Sequence, residues 1–519
     1  MKEMSEEKDK FAKRREEQQK KMKQLHKLQN SRIKPSTRSK LTGLLIALVV
    51  ILVIGVIVFF EAGFVRRLTT AMKVGDEKVS TAEFDYYYSD EAITTYNTYY
   101  QYTNGQYLPF LTTKSLKKQA YNEDQTWADY FVEEAKKSVH NVKALVSAAK
   151  AEGMTLSAEG QANVDAQMTT YAAYAKQANL TVNQYLRQSY GRGVNEKLMR
   201  QIISDIMLAS EYSEALKSRP EYTDEDLEAY YQSDAKENNT YVDIRYLAFS
   251  KTDDKTLEEA KAEADAFIEG VKTADQYAEK AIAELTARAE AEDSSSEESS
   301  SEEGSDTETE ITDTTARTLV SWSSLKNRDE NLASWAFADE RKASDTTVVE
   351  LTDGSGYYAV FLDKTAYRQD YKTANIRQIF ISVEDTEDTE AMEAAKTKAE
   401  GILDEWKAGA ATEDSFAALA DQYSELDLEG GLQEEVSNDS DAVGEWLFDG
   451  TRKAGDTAVI ASDEGYHVIY YIGEGREYWK IQVEALKRNA DYSAAVDALE
   501  EQYAASGSSF GIWLRDEPF

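Results

Sequence analysis

Trp335-Ala-Phe-Ala-Asp-Glu-Arg-Lys-Ala-Ser-Asp-Thr346 and Trp446-Leu-Phe-Asp-Gly-Thr-Arg-Lys-Ala-Gly-Asp-Thr457 are two versions of one segment, in register throughout. Each runs into a β-branched and aromatic stretch, Gly356-Tyr-Tyr-Ala-Val-Phe-Leu362 in the first case and Gly465-Tyr-His-Val-Ile-Tyr-Tyr471 in the second. Each copy also opens on such a stretch, Ile244-Arg-Tyr-Leu-Ala-Phe-Ser250 and Ile376-Arg-Gln-Ile-Phe-Ile-Ser382, here at a wider offset. Runs of that composition read as strands. In the second copy Glu387–Ala408, stopped by Gly409, and Thr412–Tyr423 have apolar residues at helical spacing. The repeated unit is therefore strand, helix, helix, turn, short helix, strand. The first copy is the longer of the two between its opening strand and its tryptophan. The excess is Glu292–Glu310, with nine acidic residues and seven serines in 19 positions. Such a stretch buries too little apolar area to offset its ordering entropy, so an acidic disordered loop is expected over 292–313.

Working outward, the chain before the repeat reads as a short strand signal, Met72–Ser80, followed by helices. Ser80 with Glu83 forms a capping-box pattern, and Trp127-Ala-Asp-Tyr-Phe-Val-Glu-Glu-Ala-Lys136 has apolar residues three and four apart. Pro220 breaks the helical run, and Thr223 caps one more helix. Tyr86, Tyr87, Tyr88, Tyr96, Tyr99, Tyr100, Tyr102 and Tyr107 crowd into one short segment. These rings either pack helices together or offer a broad amphipathic contact surface, with Tyr99 and Tyr100 as candidates for binding. After the repeat, Trp479–Tyr503 is helical again, followed by a Gly/Ser break and an aromatic tail.

The 519-residue chain has 59 Lys+Arg, 96 Asp+Glu and a formal net charge of −37. The charge is uneven: residues 1–40 carry +8 and the remainder −45. Between them Leu41–Phe60 is a run of 20 residues without a charge, long enough as a helix to span ~30 Å of hydrocarbon. It predicts one transmembrane helix. The basic flank then predicts a cytoplasmic N-terminus and a single-pass protein of the cell membrane with an extracytoplasmic ectodomain. The basic tail is either a topology signal or a site of attraction to anionic lipid. The chain has no cysteine, which excludes disulfides, Cys-ligated metal and Cys nucleophiles. His26, His140 and His467 are too scattered for a His-rich metal site, so neither metal nor cofactor is expected. Strong acidity argues against nucleic acid as a partner. No nucleophilic triad, HExxH motif, phosphate loop or dinucleotide fingerprint occurs.

The second copy resembles a parvulin-type peptidyl-prolyl isomerase domain. The matching stretches are Ile376–Ile381, Phe416–Glu425, the double-glycine turn Glu429-Gly-Gly-Leu432 and Gly465–Ile469. Residues from about 70 to 505 together resemble the PrsA/SurA-type extracytoplasmic foldases. The resemblance implies an α+β chain with a four-stranded antiparallel sheet flanked by helices in each repeat. Its expected layout is a basic cytoplasmic tail (1–40), a transmembrane anchor (41–65), a mainly helical chaperone domain (68–240), a degenerate parvulin-like domain (241–368), a second parvulin-like domain (369–476) and a C-terminal helix with its tail folding back on the chaperone domain (477–519). It implies, as partners, unfolded or newly translocated secretory proteins, with homodimer formation left open.

Parvulins place two histidines, a Cys or Asp, and a Met/Leu/Phe slot around the prolyl bond. The second histidine falls on His467 and the first on Gln378. The Cys/Asp position falls on Leu426, with Asp427 beside it. The Met and Phe of the slot fall near Asp439 and Val443, and Phe448 lies close by. In the first copy the histidine positions are Tyr246 and Tyr358 and the double glycine is absent. The implied function is a foldase with peptidyl-prolyl isomerase activity at an eroded site. The alternative is an inactive holdase chaperone that uses parvulin folds as scaffolds. A lone strand histidine such as His467 can equally be a packed, hydrogen-bonded residue.

Overall fold

The computed structural model describes residues 20–22, 49–50, 63–296, 312–439 and 441–518. They divide into two compact units, one of residues up to 216 together with 494–519, the other of residues 217–493. Both mix helices and antiparallel sheets.

The first unit has a three-stranded sheet. Strand β1 (Thr70–Val74) pairs with β2 (Glu77–Ser80) on one side and with the distant strand Ala505–Gly507 on the other. Ser80 caps the helix Thr81–Tyr102 by accepting from the Glu83 N–H at 3.1 Å. The helices Trp127–Ala151, Ala158–Gln177, Val182–Tyr190 and Glu196–Ser218 follow. Their buried stripes meet in a core that includes Phe84, Tyr87, Tyr88, Phe131, Met199 and Ile202. Two polar clusters lie inside it. Lys143 Nζ is 2.5 Å from Glu83 Oε1 and 2.6 Å from Asp205 Oδ2, so one ammonium joins three helices. Asp85, fully buried, accepts from the Asp516 N–H at 2.9 Å, while Arg66 lies 3.7 Å from Asp85 and 2.8 Å from Asp516. Burial pushes the Asp85 pKa well above the ordinary carboxylate range.

The second unit begins with the helix Asp224–Tyr230, which passes through a π turn at Tyr231–Ala235. Two sheets of the same topology follow. In the first, β3 (Tyr241–Ser250), β4 (Ala316–Ser321), β5 (Thr346–Glu350) and β6 (Gly356–Tyr367) lie in the order β4-β3-β6-β5. In the second, β7 (Lys372–Ser382), β8 (Leu432–Val436), β9 (Thr457–Ser462) and β10 (Gly465–Glu477) lie in the order β8-β7-β10-β9. On one face of the second sheet the helices Thr389–Ala408 and Glu413–Tyr423 bury Ala399, Leu403, Trp406 and Phe416 against Ile379, Ile381 and Val468. On the other, the short helix Ala442–Leu447 sets Leu447 against Ile376 and Ile469. The helix Ala274–Ser296 takes in the start of the expected acidic loop, whose later part lies mostly outside the described residues. Asp313, near its end, pairs with Arg245.

The membrane expectation is corrected. No helix among the described residues is long and apolar enough to cross a membrane. The long helix Trp127–Ala151, for instance, is amphipathic and carries Glu133, Glu134, Lys136 and Lys137 opposite its buried stripe. The run Leu41–Phe60, on which the expectation rested, lies outside the described residues except for Val49 and Val50, which are exposed. The transmembrane helix in the expected fold, and the single-pass membrane localisation drawn from it, therefore do not stand.

Removing Lys143 leaves the buried Glu83 carboxylate and the half-buried Asp205 carboxylate without their cation. Lys143→Met is expected to lower the unfolding free energy by about 3–5 kcal/mol in urea titrations. A loss no larger than that of a surface substitution would show that the three-way pair does not hold these helices.

Candidate functional site

The antiparallel register of β7 on β10 pairs His467 with Phe380 and Ile469 with Gln378. Cross-strand partners share a face, and residues two apart along a strand return to it. Gln378, Phe380, His467 and Ile469 therefore stand on one side of the sheet, the side covered by Ala442–Leu447. The His467 and Phe380 rings are 4.7 Å apart, and Gln378 is buried.

Glycines fix both ends of this patch. Gly465 opens β10 at φ +144°, and a Cβ there would lie 2.1 Å from the Ile381 carbonyl oxygen. Gly431 has φ +64°, and a Cβ would lie 2.3 Å from the Gln378 carbonyl oxygen. The double-glycine turn is thus pressed onto the strand at Gln378, and Gly430 O accepts from Arg377 Nη1 at 2.9 Å. After the helix Glu413–Tyr423, Ser424 Oγ accepts from the Phe380 N–H at 3.2 Å, and the Glu425 N–H donates to Phe380 O at 3.0 Å.

His467 Nε2 lies 2.9 Å from Ser462 Oγ, whose own hydroxyl reaches Gly465 O at 3.4 Å. This arrangement leaves Ser462 Oγ to accept from a proton on Nε2. Nδ1 is buried and finds no hydrogen-bond partner among the described residues. Burial pulls the His467 pKa below its ordinary 6.5, against the smaller opposing pull of the Asp441 and Glu464 charges. The imidazole is therefore neutral near pH 7. It meets the patch with its ring rather than with a free N–H.

The other expected residues are spread more widely. Val443 and Phe448 pack on the Ile376, Ile469 and Leu447 cluster beside the patch. Phe448 also meets Tyr371 edge-on at 5.6 Å. Leu426 is half-buried, with its N–H 3.3 Å from Ser424 Oγ, whereas Asp427 is exposed. Asp439, at the expected apolar slot, is exposed and accepts from Ser437 Oγ at 2.7 Å. Tyr99 and Tyr100 belong to the first unit, where they are exposed by 40% and 53%, while Tyr86, Tyr87 and Tyr88 of the same helix are buried. The tyrosine run thus packs helices at one end and leaves its rings in solvent at the other. Sequence reading missed Phe380, Ser462 and Asp441. The alternation of β7 was a signal for Phe380, two residues beyond Gln378. Nothing local marked Ser462 or Asp441, the residue that caps Ala442–Leu447 by accepting from the Gly444 N–H at 2.6 Å.

The first copy fills the same positions differently. Tyr246 pairs with Val360 and Tyr358 with Ala248, so both tyrosines stand where Gln378 and His467 stand in the second copy. Their rings meet edge to face at 5.3 Å, and Tyr358 is buried. This pair occupies the space with aromatic packing and leaves no imidazole or amide there.

Residues 361–473, which take in most of the second copy, match the family model of the PPIC-type PPIASE domain. No curated protein matches the chain. Among solved structures, the peptidylprolyl isomerase PrsA of Bacillus anthracis is 17% identical with a TM-score of 0.17, covering 26% of this chain. The match takes in 61% of that protein's length. The foldase protein PrsA of Lactococcus lactis is 11% identical with a TM-score of 0.18, covering 68% of this chain and 93% of that one.

A depressed histidine pKa makes stability fall with acid. The contribution of His467 is complete above pH 6.5, the unfolded-state value, and is lost as the pH falls through it until the folded-state pKa is passed. An NMR titration of the imidazole is expected to give a pKa below 6.5, and His467→Gln is expected to flatten the acid limb of the stability curve. A pKa at or above 6.5 would contradict the buried, uncharged ring.

Proposed function

We propose that the second copy binds X–Pro segments of unfolded polypeptides and speeds their cis–trans rotation at an eroded site, within a foldase of the PrsA/SurA type. The first copy serves as a scaffold. The observation that carries this reading is the shared face of Gln378, Phe380 and His467 inside a stretch that matches a PPIC-type PPIASE domain.

Rotation about an X–Pro bond breaks no covalent bond but loses amide resonance, a barrier of about 18–20 kcal/mol. A catalyst has to bind the twisted amide better than the planar one. The planar amide is the more polar form and is weakened where water is excluded. The Phe380 ring, Ile469 and the half-buried Val443 supply the dry wall. A neutral His467 adds no charge for the proline ring to desolvate. Ser462 holds that imidazole with its proton on Nε2, and Gln378 supplies an amide that both donates and accepts. Erosion is the reading for two features. Neither nitrogen of His467 is free to reach a substrate, and Asp439 puts a carboxylate where the slot calls for an apolar side chain.

The test is proline-limited refolding of a model protein in the presence of the chain. Acceleration over buffer is expected. His467→Ala is expected to lower kcat/KM about tenfold, equal to ~1.4 kcal/mol of transition-state stabilisation. No acceleration, together with suppressed aggregation of an unfolded client, would instead favour the holdase reading, in which both parvulin folds are scaffolds.

A further inference from the structure

The open edge of the three-stranded sheet in the first unit faces a cavity of about 510 Å³. Ala504 O accepts from the Gly75 N–H at 3.1 Å, and the Ser508 N–H donates to Ala71 O at 2.7 Å. With Ser506 opposite Lys73 in the register, residues 504, 506 and 508 turn their main-chain groups toward β1. In an antiparallel ladder the alternate residues turn theirs the other way, so the N–H and C=O groups of Ala505 and Gly507 point outward. No other strand among the described residues pairs with that edge. Ala505, Gly507 and Ser509 line the cavity on this side.

The opposite wall is the helix Trp127–Ala151, through Glu133, Lys136, Lys137 and His140. The wall is fixed to the strand's approach. His140 Nε2 lies 3.0 Å from both Glu500 O and Tyr503 O, and since carbonyls only accept, Nε2 carries the proton. One imidazole thereby caps the carbonyl end of the helix that leads into Ala505–Gly507. Ile512 and Met72 close the cavity with apolar surface.

We propose that this edge binds an extended segment of unfolded polypeptide by adding it as a fourth strand, which deepens the foldase reading and rests on it. Unpaired edge groups are the standard template for strand addition, and main-chain bonds supply the affinity. Ala505, Ser506 and Gly507 offer no bulky side chain to select a sequence, so recognition falls on the peptide backbone. On the opposite wall Lys136 is paired with Glu133 at 2.7 Å and Lys137 with Glu134 at 2.8 Å, so the wall adds no charge preference to the recognition of backbone. A second copy of this chain is a poor occupant, because each copy carries a formal charge of −37 and would be repelled by the other.

The test uses the full chain and a short, uncharged labelled peptide of valine, threonine and serine. It contains no proline, so the outcome is independent of any isomerase activity. Ala505→Pro removes an outward N–H without taking a bond from β1, and the solvent-facing side of an edge strand is a place in a sheet where proline is tolerated. It is expected to weaken binding about tenfold with the melting temperature unchanged. N-methylation of alternate peptide residues is expected to weaken binding to the unaltered chain by a similar factor, which keeps the test informative if the proline variant folds poorly. Unchanged affinity in both arms overturns the proposal. So does a dimer in sedimentation that Ala505→Pro dissolves while the peptide fails to bind, since the occupant would then be a second copy.

Discussion

The candidate site depends on one ladder, the antiparallel pairing of β7 with β10 from Gly465↔Ser382 to Tyr471↔Ile376. A slip of one residue would send Gln378 and Phe380 to the face packed by Trp406 and Phe416. It would also bring Ile379 and Ile381 out beside His467. The glycines at the two ends of the patch act as register pins, because each sits against a carbonyl of β7 where no side chain fits. The ladder organises the fold as well as the chemistry. It separates a helix-covered face, whose role is packing, from a face on which the short helix Ala442–Leu447 packs.

The two copies show how far a shared scaffold constrains its contents. Strand order and cross-strand partners are the same in both, yet one copy holds an edge-to-face tyrosine pair and the other an imidazole tilted against Phe380. The backbone fixes where two side chains meet and leaves open what they do. Burial decides much of the rest. The same desolvation that keeps His467 neutral also pushes the phenol of Tyr358 toward its protonated form, so both copies present uncharged groups at these positions.

Much of the fold was legible where the signal is local. Helix Glu413–Tyr423 starts at its Thr412 cap as its sequence indicates, and the opening and closing strands of both copies lie where their apolar runs fall. Strand β8 was not read directly, because Leu432-Gln-Glu-Glu-Val436 is polar and half exposed and becomes a strand only by pairing with β7. The site was half legible. His467 and Gln378 carry motif information, whereas Ser462 matters only because a hairpin folds it back to Nε2, and Asp441 only because its helix crosses the sheet. The membrane reading came from the run Leu41–Phe60 and its basic flank, almost all of it outside the described residues, and no described helix is long and apolar enough to carry it.

The pairing of β1 with Ala505–Gly507 joins the two far ends of the first unit. The unit that contains them is discontinuous, whereas residues 217–493 form a continuous unit between its two parts. Contacts of such long sequence separation are slow to form, because the loop they close has to be ordered first. The continuous unit has every strand of both its sheets before the sheet of the first unit can acquire its last strand. A chain emerging from the ribosome would thus complete the continuous unit while the sheet of the first unit still lacks its last strand, and truncation before Ala505 would leave β1 as an open edge.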